Sequence, residues 1–212
     1  MIKKIYIKPI NKLIDLNKEI IRIQFEDQTL YRQFSLNLEQ EIIYSINNEV
    51  VESSSEILRI INPFDFNINT KKNLNNLYKS LSKKIIYYKE KIINIERELF
   101  ELFDDLSLEE EIALTYSTEA QLASFLSMYQ LKFKNIDECT YLEQLVSFLK
   151  INYKFYKPSI VISNGIIELL TEEEKKLLII ELRLMNINII DISLNLKNEN
   201  VDYKIDSDWC VV

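Results

Sequence analysis

An α/β fold follows from three observations. Strand-like, β-branched segments concentrate at the two ends of the chain, a strand–helix–strand unit lies near the C-terminus, and the middle is helical with a long heptad repeat. The strand–helix–strand order calls for a crossover, so the sheet it builds is mostly parallel. Both termini then form one discontinuous α/β head domain, residues 1–69 and 158–212, and a helical leg domain, residues 70–157, is inserted between them.

Residues 3–8 and 19–25 read as strands enriched in β-branched side chains. Asp27 is placed to cap a helix running to about Gln40, with Leu30, Phe34 and Leu38 on one face. Residues 41–46 and 56–61 read as further strands, and Asn47-Asn48 turns the first of them into 49–52. Asn62-Pro63 then breaks the chain, because proline disfavours helical geometry in the residue before it.

Thr70 caps the heptad helix, which runs to about residue 106. Its apolar positions alternate by four and three: Leu74, Tyr78, Leu81, Ile85, Tyr88, Ile92, Ile95, Leu99, Leu102 and Leu106. At 1.5 Å per residue, about 35 residues make a projecting rod of roughly 50 Å. Amphipathic helices at 118–130 and 137–155 are expected to pack on its apolar seam. Residues 159–163 resume the strand pattern, Thr171 caps a helix over 172–185, residues 188–193 form an apolar strand, and 208–212 suggests another.

With 212 residues, 47% hydrophobic and 28% charged, the chain reads as a globular protein with a substantial core. No apolar run reaches the roughly 18 residues of a membrane span. The N-terminal segment alternates like a strand rather than like a leader peptide. Cys139 and Cys210 fit no metal or redox spacing, so a cytoplasmic chain with two incidental thiols is expected.

There is no histidine, which removes His-ligated zinc chemistry and the Ser-His and Cys-His nucleophile systems. Gly165 is the only glycine, whereas a phosphate-cradling loop needs several so that backbone N–H groups can approach the phosphate. A non-enzymatic role is therefore expected.

Charge is segregated along the rod. Its first half carries Lys71, Lys72, Lys79, Lys83, Lys84, Lys89 and Lys91 against Glu90, in a protein of net charge -7. Lys72, Lys79 and Lys83 share one outward stripe, and Lys132, Lys134, Lys150 and Lys154 add charge from the rest of the leg. Such lysines suit sequence-independent contact with DNA phosphates, as mobile point charges that displace counterions. A solvated, lysine-coated helix explains the same pattern.

The second half of the rod is acidic. Glu98, Glu101 and Asp105 share a face, and Glu109, Glu110 and Glu111 follow. Clustered carboxylates without His or Cys favour Ca²⁺ or Mg²⁺ over transition metals. A solubilising acidic face, or one that pairs with lysines of another subunit, is the plainer alternative. The seam itself, with Tyr78, Tyr87 and Tyr88, suits core packing or an interface equally well. Asn164 and Asp191, near strand ends, read as structural turns in the absence of a glycine loop.

Three stretches carry a family resemblance. They are Ile5-Tyr6-Ile7 through Pro9-Ile10 with Leu13-Ile14-Asp15-Leu16-Asn17-Lys18-Glu19; Glu56-Ile57-Leu58 through Asp65-Phe66-Asn67; and Ile160-Val161-Ile162-Ser163-Asn164 followed by Leu170-Thr171-Glu172-Glu173-Glu174 and Asn186-Ile187-Asn188-Ile189-Ile190. In these the chain resembles the ring-forming spacer-acquisition protein of type II-A CRISPR systems, the Csn-two family. The resemblance implies a head with a degenerate P-loop-NTPase-like fold lacking a Walker motif, an inserted helical leg, and a homotetrameric ring. It implies a lysine-lined channel for double-stranded DNA ends, Ca²⁺ in the leg, and work alongside the CRISPR integrase complex and the RNA-guided effector nuclease. Asp105 and Glu109-Glu110-Glu111 resemble the family's calcium-binding run, and Lys132 after Leu131 is the best lysine match. Pro63 stands where the family usually has glycine. A coiled-coil scaffold that self-associates without nucleic acid is the competing reading, and an NTPase a distant third.

Overall fold

The computed structural model describes residues 3–37, 42–46, 49–51, 56–109, 126–194 and 201–211. Its elements in chain order are β1 (Lys3–Ile7), β2 (Lys12–Asp15), β3 (Ile20–Phe25), α1 (Gln28–Leu36), β4 (Ile42–Ile46), β5 (Glu49–Val51) and β6 (Ile57–Ile60). Then come α2 (Lys71–Lys84), a 3₁₀ segment (Ile85–Tyr88), α3 (Lys89–Glu109), α4 (Tyr141–Tyr156), β7 (Ile160–Asn164), a 3₁₀ turn (Ile167–Leu169), α5 (Glu172–Met185), β8 (Asn188–Leu194) and β9 (Tyr203–Ile205).

The strands form two sheets. A five-stranded sheet has the order β6-β7-β8-β3-β9, every described neighbour pair being parallel. A smaller sheet, β2-β1-β4-β5, is antiparallel throughout. The α/β class and the parallel sheet expected from β7–α5–β8 are thus present.

Side-chain alternation sorts the parallel strands into two faces. Ile160 and Ile162 of β7, Ile190 and Ile192 of β8, and Ile21, Ile23 and Phe25 of β3 point to one face. There they join Ile5, Ile7, Ile14 and Ile42 of the antiparallel sheet and Phe34 of α1. Val161 and Ile189 point to the other face, where they meet Leu145 and Leu149 of α4 and Leu178, Leu182 and Met185 of α5. The antiparallel sheet, the parallel sheet and the helices are therefore three layers with two cores. Lys3 ties the first two layers together: its buried ammonium donates to the Asn186 carbonyl at 2.6 Å, to Asn188 Oδ1 at 2.9 Å and to the Ser159 carbonyl at 3.3 Å. Burial lowers its pKa.

Helix signals in the sequence map onto caps. Asp27 Oδ1 accepts from the Thr29 and Leu30 N–H groups at 2.8 and 2.9 Å. Thr140 with Glu143, and Thr171 with Glu174, close capping boxes, while Lys157 and Asn186 end their helices in the left-handed conformation. Gly165, with φ +71°, takes the tight turn after β7.

The chain divides into two units, 1–68 with 135–212, and 69–134. Three expectations change here. Helix α4 belongs to the first unit, because its apolar face is buried against the parallel sheet and α5, so the second boundary falls near 134 instead of 157. The rod is also not one helix: the 3₁₀ segment Ile85–Tyr88 separates α2 from α3. Adjacent β-branched and aromatic residues of low helix propensity, flanked by Lys83, Lys84, Lys89 and Lys91, account for the change in winding. The last paired strand is β9 rather than 208–212, where Ile205 and Val211 form an isolated bridge. Leu38, Gln40 and most of the helix expected at 118–130 lie outside the described residues.

Candidate nucleic-acid interface

Helix α2 holds five lysines and no acid. Thr70 starts it, accepting the Asn73 N–H on Oγ1 at 3.2 Å and the Leu74 N–H on its carbonyl at 2.9 Å. Leu74, Leu77, Tyr78 and Leu81 are half-buried along the seam, and Lys72, Lys79 and Lys83 are exposed on the opposite side. Eleven residues separate the first and last of these lysines, which places them about 17 Å apart along the axis.

A second strand of chain joins this end of the helical unit. Asn69 and Phe133 exchange two hydrogen bonds, Phe133 N–H to Asn69 Oδ1 at 2.9 Å and Asn69 Nδ2 to the Phe133 carbonyl at 3.2 Å. The Tyr78 hydroxyl donates to the Leu131 carbonyl at 2.9 Å. Residues 131–133 therefore run beside the first half of α2, and the exposed Lys132 and Lys134 join the same end of the unit. Lys150 and Lys154, by contrast, lie on α4 in the other unit. Lys150 pairs with Glu181 at 2.8 Å, and the Lys154 ammonium sits 5.6 Å from the Phe155 ring centre.

The acidic candidates do not assemble. Glu98, Glu101, Asp105 and Glu109 are exposed along α3, and no described group of three or more carboxylates and thiols is placed to hold a metal. One straight helix spreads its carboxylates along the axis, whereas Ca²⁺ takes about 6–8 oxygens around a point. The described residues therefore do not fit a calcium site by themselves, and Glu110 and Glu111 lie outside the described residues.

In the first unit, Asp191 of β8 is 1% exposed and accepts from Ser163 Oγ at 2.6 Å and from the Ile166 and Ile167 N–H groups at 3.0 and 3.1 Å. Burial raises its pKa to about 6 against the opposing pull of these donors. Asn164 Nδ2 reaches the Ile61 carbonyl at 3.4 Å. Both residues fasten the turn after β7. Pattern reading marked their position but missed the burial, which depends on the layer above.

A cavity of about 490 Å³ opens on the helical face, lined by residues that include Arg22, Glu168, Glu172, Lys175, Lys18 and Asp202. Its charges are largely paired internally: Arg22 with Glu168 at 3.2 Å, Lys175 with Glu172 at 2.6 Å, and Lys18 with Asp202 at 2.5 Å. Among the described residues no helix is long and apolar enough to cross a membrane.

No protein-family model and no curated protein matches the chain. Among solved structures it is similar in fold to ATP-binding cassettes of ABC transporters. One such cassette, in its ADP conformation, is 13% identical with a TM-score of 0.45, over 100% of this chain and 89% of that one. A nucleotide-free cassette is also 13% identical, with a TM-score of 0.40 over the same shares. A Pyrococcus furiosus protein provisionally named an ABC-transporter ATP-binding protein is 12% identical, with a TM-score of 0.41 over 99% of this chain and 100% of that one.

Proposed function

We propose that the chain is a non-catalytic, sequence-independent binder of double-stranded DNA ends that assembles as a homotetrameric ring. Its role in this reading is spacer acquisition in a type II-A CRISPR system, beside the integrase complex and the RNA-guided nuclease. The observation that carries the DNA contact is the exposed Lys72–Lys79–Lys83 stripe on an acid-free helix, with Lys132 and Lys134 tied to the same end. Lysine ammoniums on flexible stems neutralise phosphates without reading bases, and the released counterions drive binding.

Support for the non-catalytic half comes from the first strand–helix turn of the parallel sheet. Only Glu26 and Asp27 link β3 to α1, and the Asp27 carboxylate already takes the N–H groups that a phosphate would need. Saturable ATP hydrolysis by the pure protein overturns that part.

Gel shifts on linear and closed circular duplex test the DNA contact. Linear DNA is expected to be retained at low salt, and the triple variant Lys72→Glu, Lys79→Glu, Lys83→Glu is expected to keep its oligomer and lose retention. Wild-type retention by that variant sinks the reading, and loss of the oligomer points to the self-associating scaffold instead. Repeating the series with Ca²⁺ and then with chelator tests the calcium expectation, since a chelator-sensitive shift requires ligands beyond the four described carboxylates.

A further inference from the structure

We propose that the chain assembles with itself by laying helix α3 of one copy antiparallel on helix α5 of the next. Such a contact deepens the self-assembly reading, on which it rests, and is independent of the DNA contact. Helix α5 is apolar on two faces. Leu178, Leu182 and Met185 are buried beneath it. On its outer face Leu177 is 54% exposed, Ile180 53% and Leu184 75%. Their spacings of three and four form a stripe on which a second helix packs. Helix α3 carries a matching open stripe: Ile95 is 47% exposed, Leu102 50% and Leu106 42%, beside the half-buried Leu99.

Charges beside the two stripes select each for the other. Lys176 and Arg183, seven residues apart and both exposed, flank the α5 stripe. Glu98 and Asp105, also seven apart and exposed, flank that of α3, with Glu109 one turn further on. At 100° per residue both pairs fall anticlockwise of their stripe when each helix is viewed from its N-terminus. Flanks on the same side meet only when two helices run antiparallel. In one antiparallel register Lys176 comes level with Asp105 and Arg183 with Glu98. Leu184 then seats between Ile95 and Leu99, Ile180 between Leu99 and Leu102, and Leu177 between Leu102 and Leu106. Arg183 also holds Glu19 at 2.7 Å, but its fork has donors for a second carboxylate. Glu173, one turn before Leu177, is left without a cation on α3. Two α3 helices paired antiparallel face acids with acids, and two α5 helices face cations with cations. A parallel α5 pair turns its cations toward Glu181, which Lys150 already holds at 2.8 Å.

Light scattering and sedimentation on the full chain test the contact. Leu102→Glu and Ile180→Glu alter exposed side chains, and each is expected to keep the melting profile while weakening self-association about 10-fold or more. Mixed one to one, the two variants are expected to form a heterodimer, because each supplies the stripe that the other has lost. Lys176→Glu alone is expected to weaken assembly, and adding Asp105→Lys in the same chain to restore it. A wild-type assembly that both stripe variants leave intact overturns the contact and leaves the ring reading standing, whereas a monomeric wild type overturns both. A mixture that stays monomeric, a charge swap that restores nothing, or a loss confined to one stripe variant also overturns the contact.

Discussion

Asp191 shows how one residue links burial to pH. Its folded pKa, about 6, lies above the ordinary carboxylate value because burial disfavours the charge more than its three donors favour it. For a raised carboxylate the stability contribution is full below the unfolded pKa and is lost as pH rises through the folded one, here between about 4 and 6. The loss is on the order of 3 kcal/mol. The carboxylates Glu19, Glu143 and Glu174, nearer the surface, act in the opposite direction. Arg183, the Thr140 N–H and the Thr171 N–H respectively lower their pKa values, so what they contribute disappears only as pH falls further. Thermal unfolding followed by circular dichroism is therefore expected to show a midpoint that drops from pH 5 to pH 7.5 in the wild type and stays flat in Asp191→Asn. Identical slopes in the two proteins refute this. The caps at Asp27, Thr70 and Thr171 were legible from sequence because a cap is a local bargain between neighbours. Asp191 was legible only as a strand-end residue, since its burial is decided by segments far away in the chain.

At the scale of elements, α4 and the rod show why amphipathicity underdetermines packing. A pattern such as Leu142, Leu145, Phe148 and Leu149 states that a face is buried and not what buries it. In the structure Leu145 and Leu149 are fully buried with Val161, Leu178 and Leu182. Leu149→Ala should therefore cost about 2–5 kcal/mol of stability in chemical denaturation. A near-neutral result places α4 elsewhere. The same limit governed the heptad repeat: four-three spacing is kept from Leu74 to Leu106 while the winding changes at Ile85–Tyr88. The low-propensity run Ile85-Ile86-Tyr87-Tyr88 was the available signal. Thr171-Glu172-Glu173-Glu174, in contrast, set the start of α5 at the expected residue, because both its capping box and its acidic first turn act within one turn of helix.

For the molecule as a whole, both described hydrophobic cores lie in the unit formed by 1–68 and 135–212. Among described residues of the other unit, only Asn73 is buried. The ends of that other unit are hydrogen-bonded to each other through Asn69 and Phe133. Excising 70–132 and joining the ends with a short glycine–serine linker should leave a protein that unfolds cooperatively, as judged by calorimetry; a broad, non-cooperative transition would falsify the division. If the lysine stripe binds duplex, the full chain should lose affinity with a log–log salt slope of about -0.9 per neutralised phosphate, and the excised protein should show no retention. The α/β unit was largely legible because strand, helix and crossover signals agreed; the lysine stripe of α2 was legible as a charge pattern, whereas an assembly is not, since symmetry leaves no mark on a single chain's periodicity. The Asp27 cap also limits what the turn between β3 and α1 can bind. Removing its carboxylate alone would vacate two N–H groups but leave a two-residue turn too short to wrap a phosphate, and lengthening the turn alone would leave the seat taken. Admitting an anion at this turn therefore takes two changes together, a longer loop and a freed pair of N–H groups.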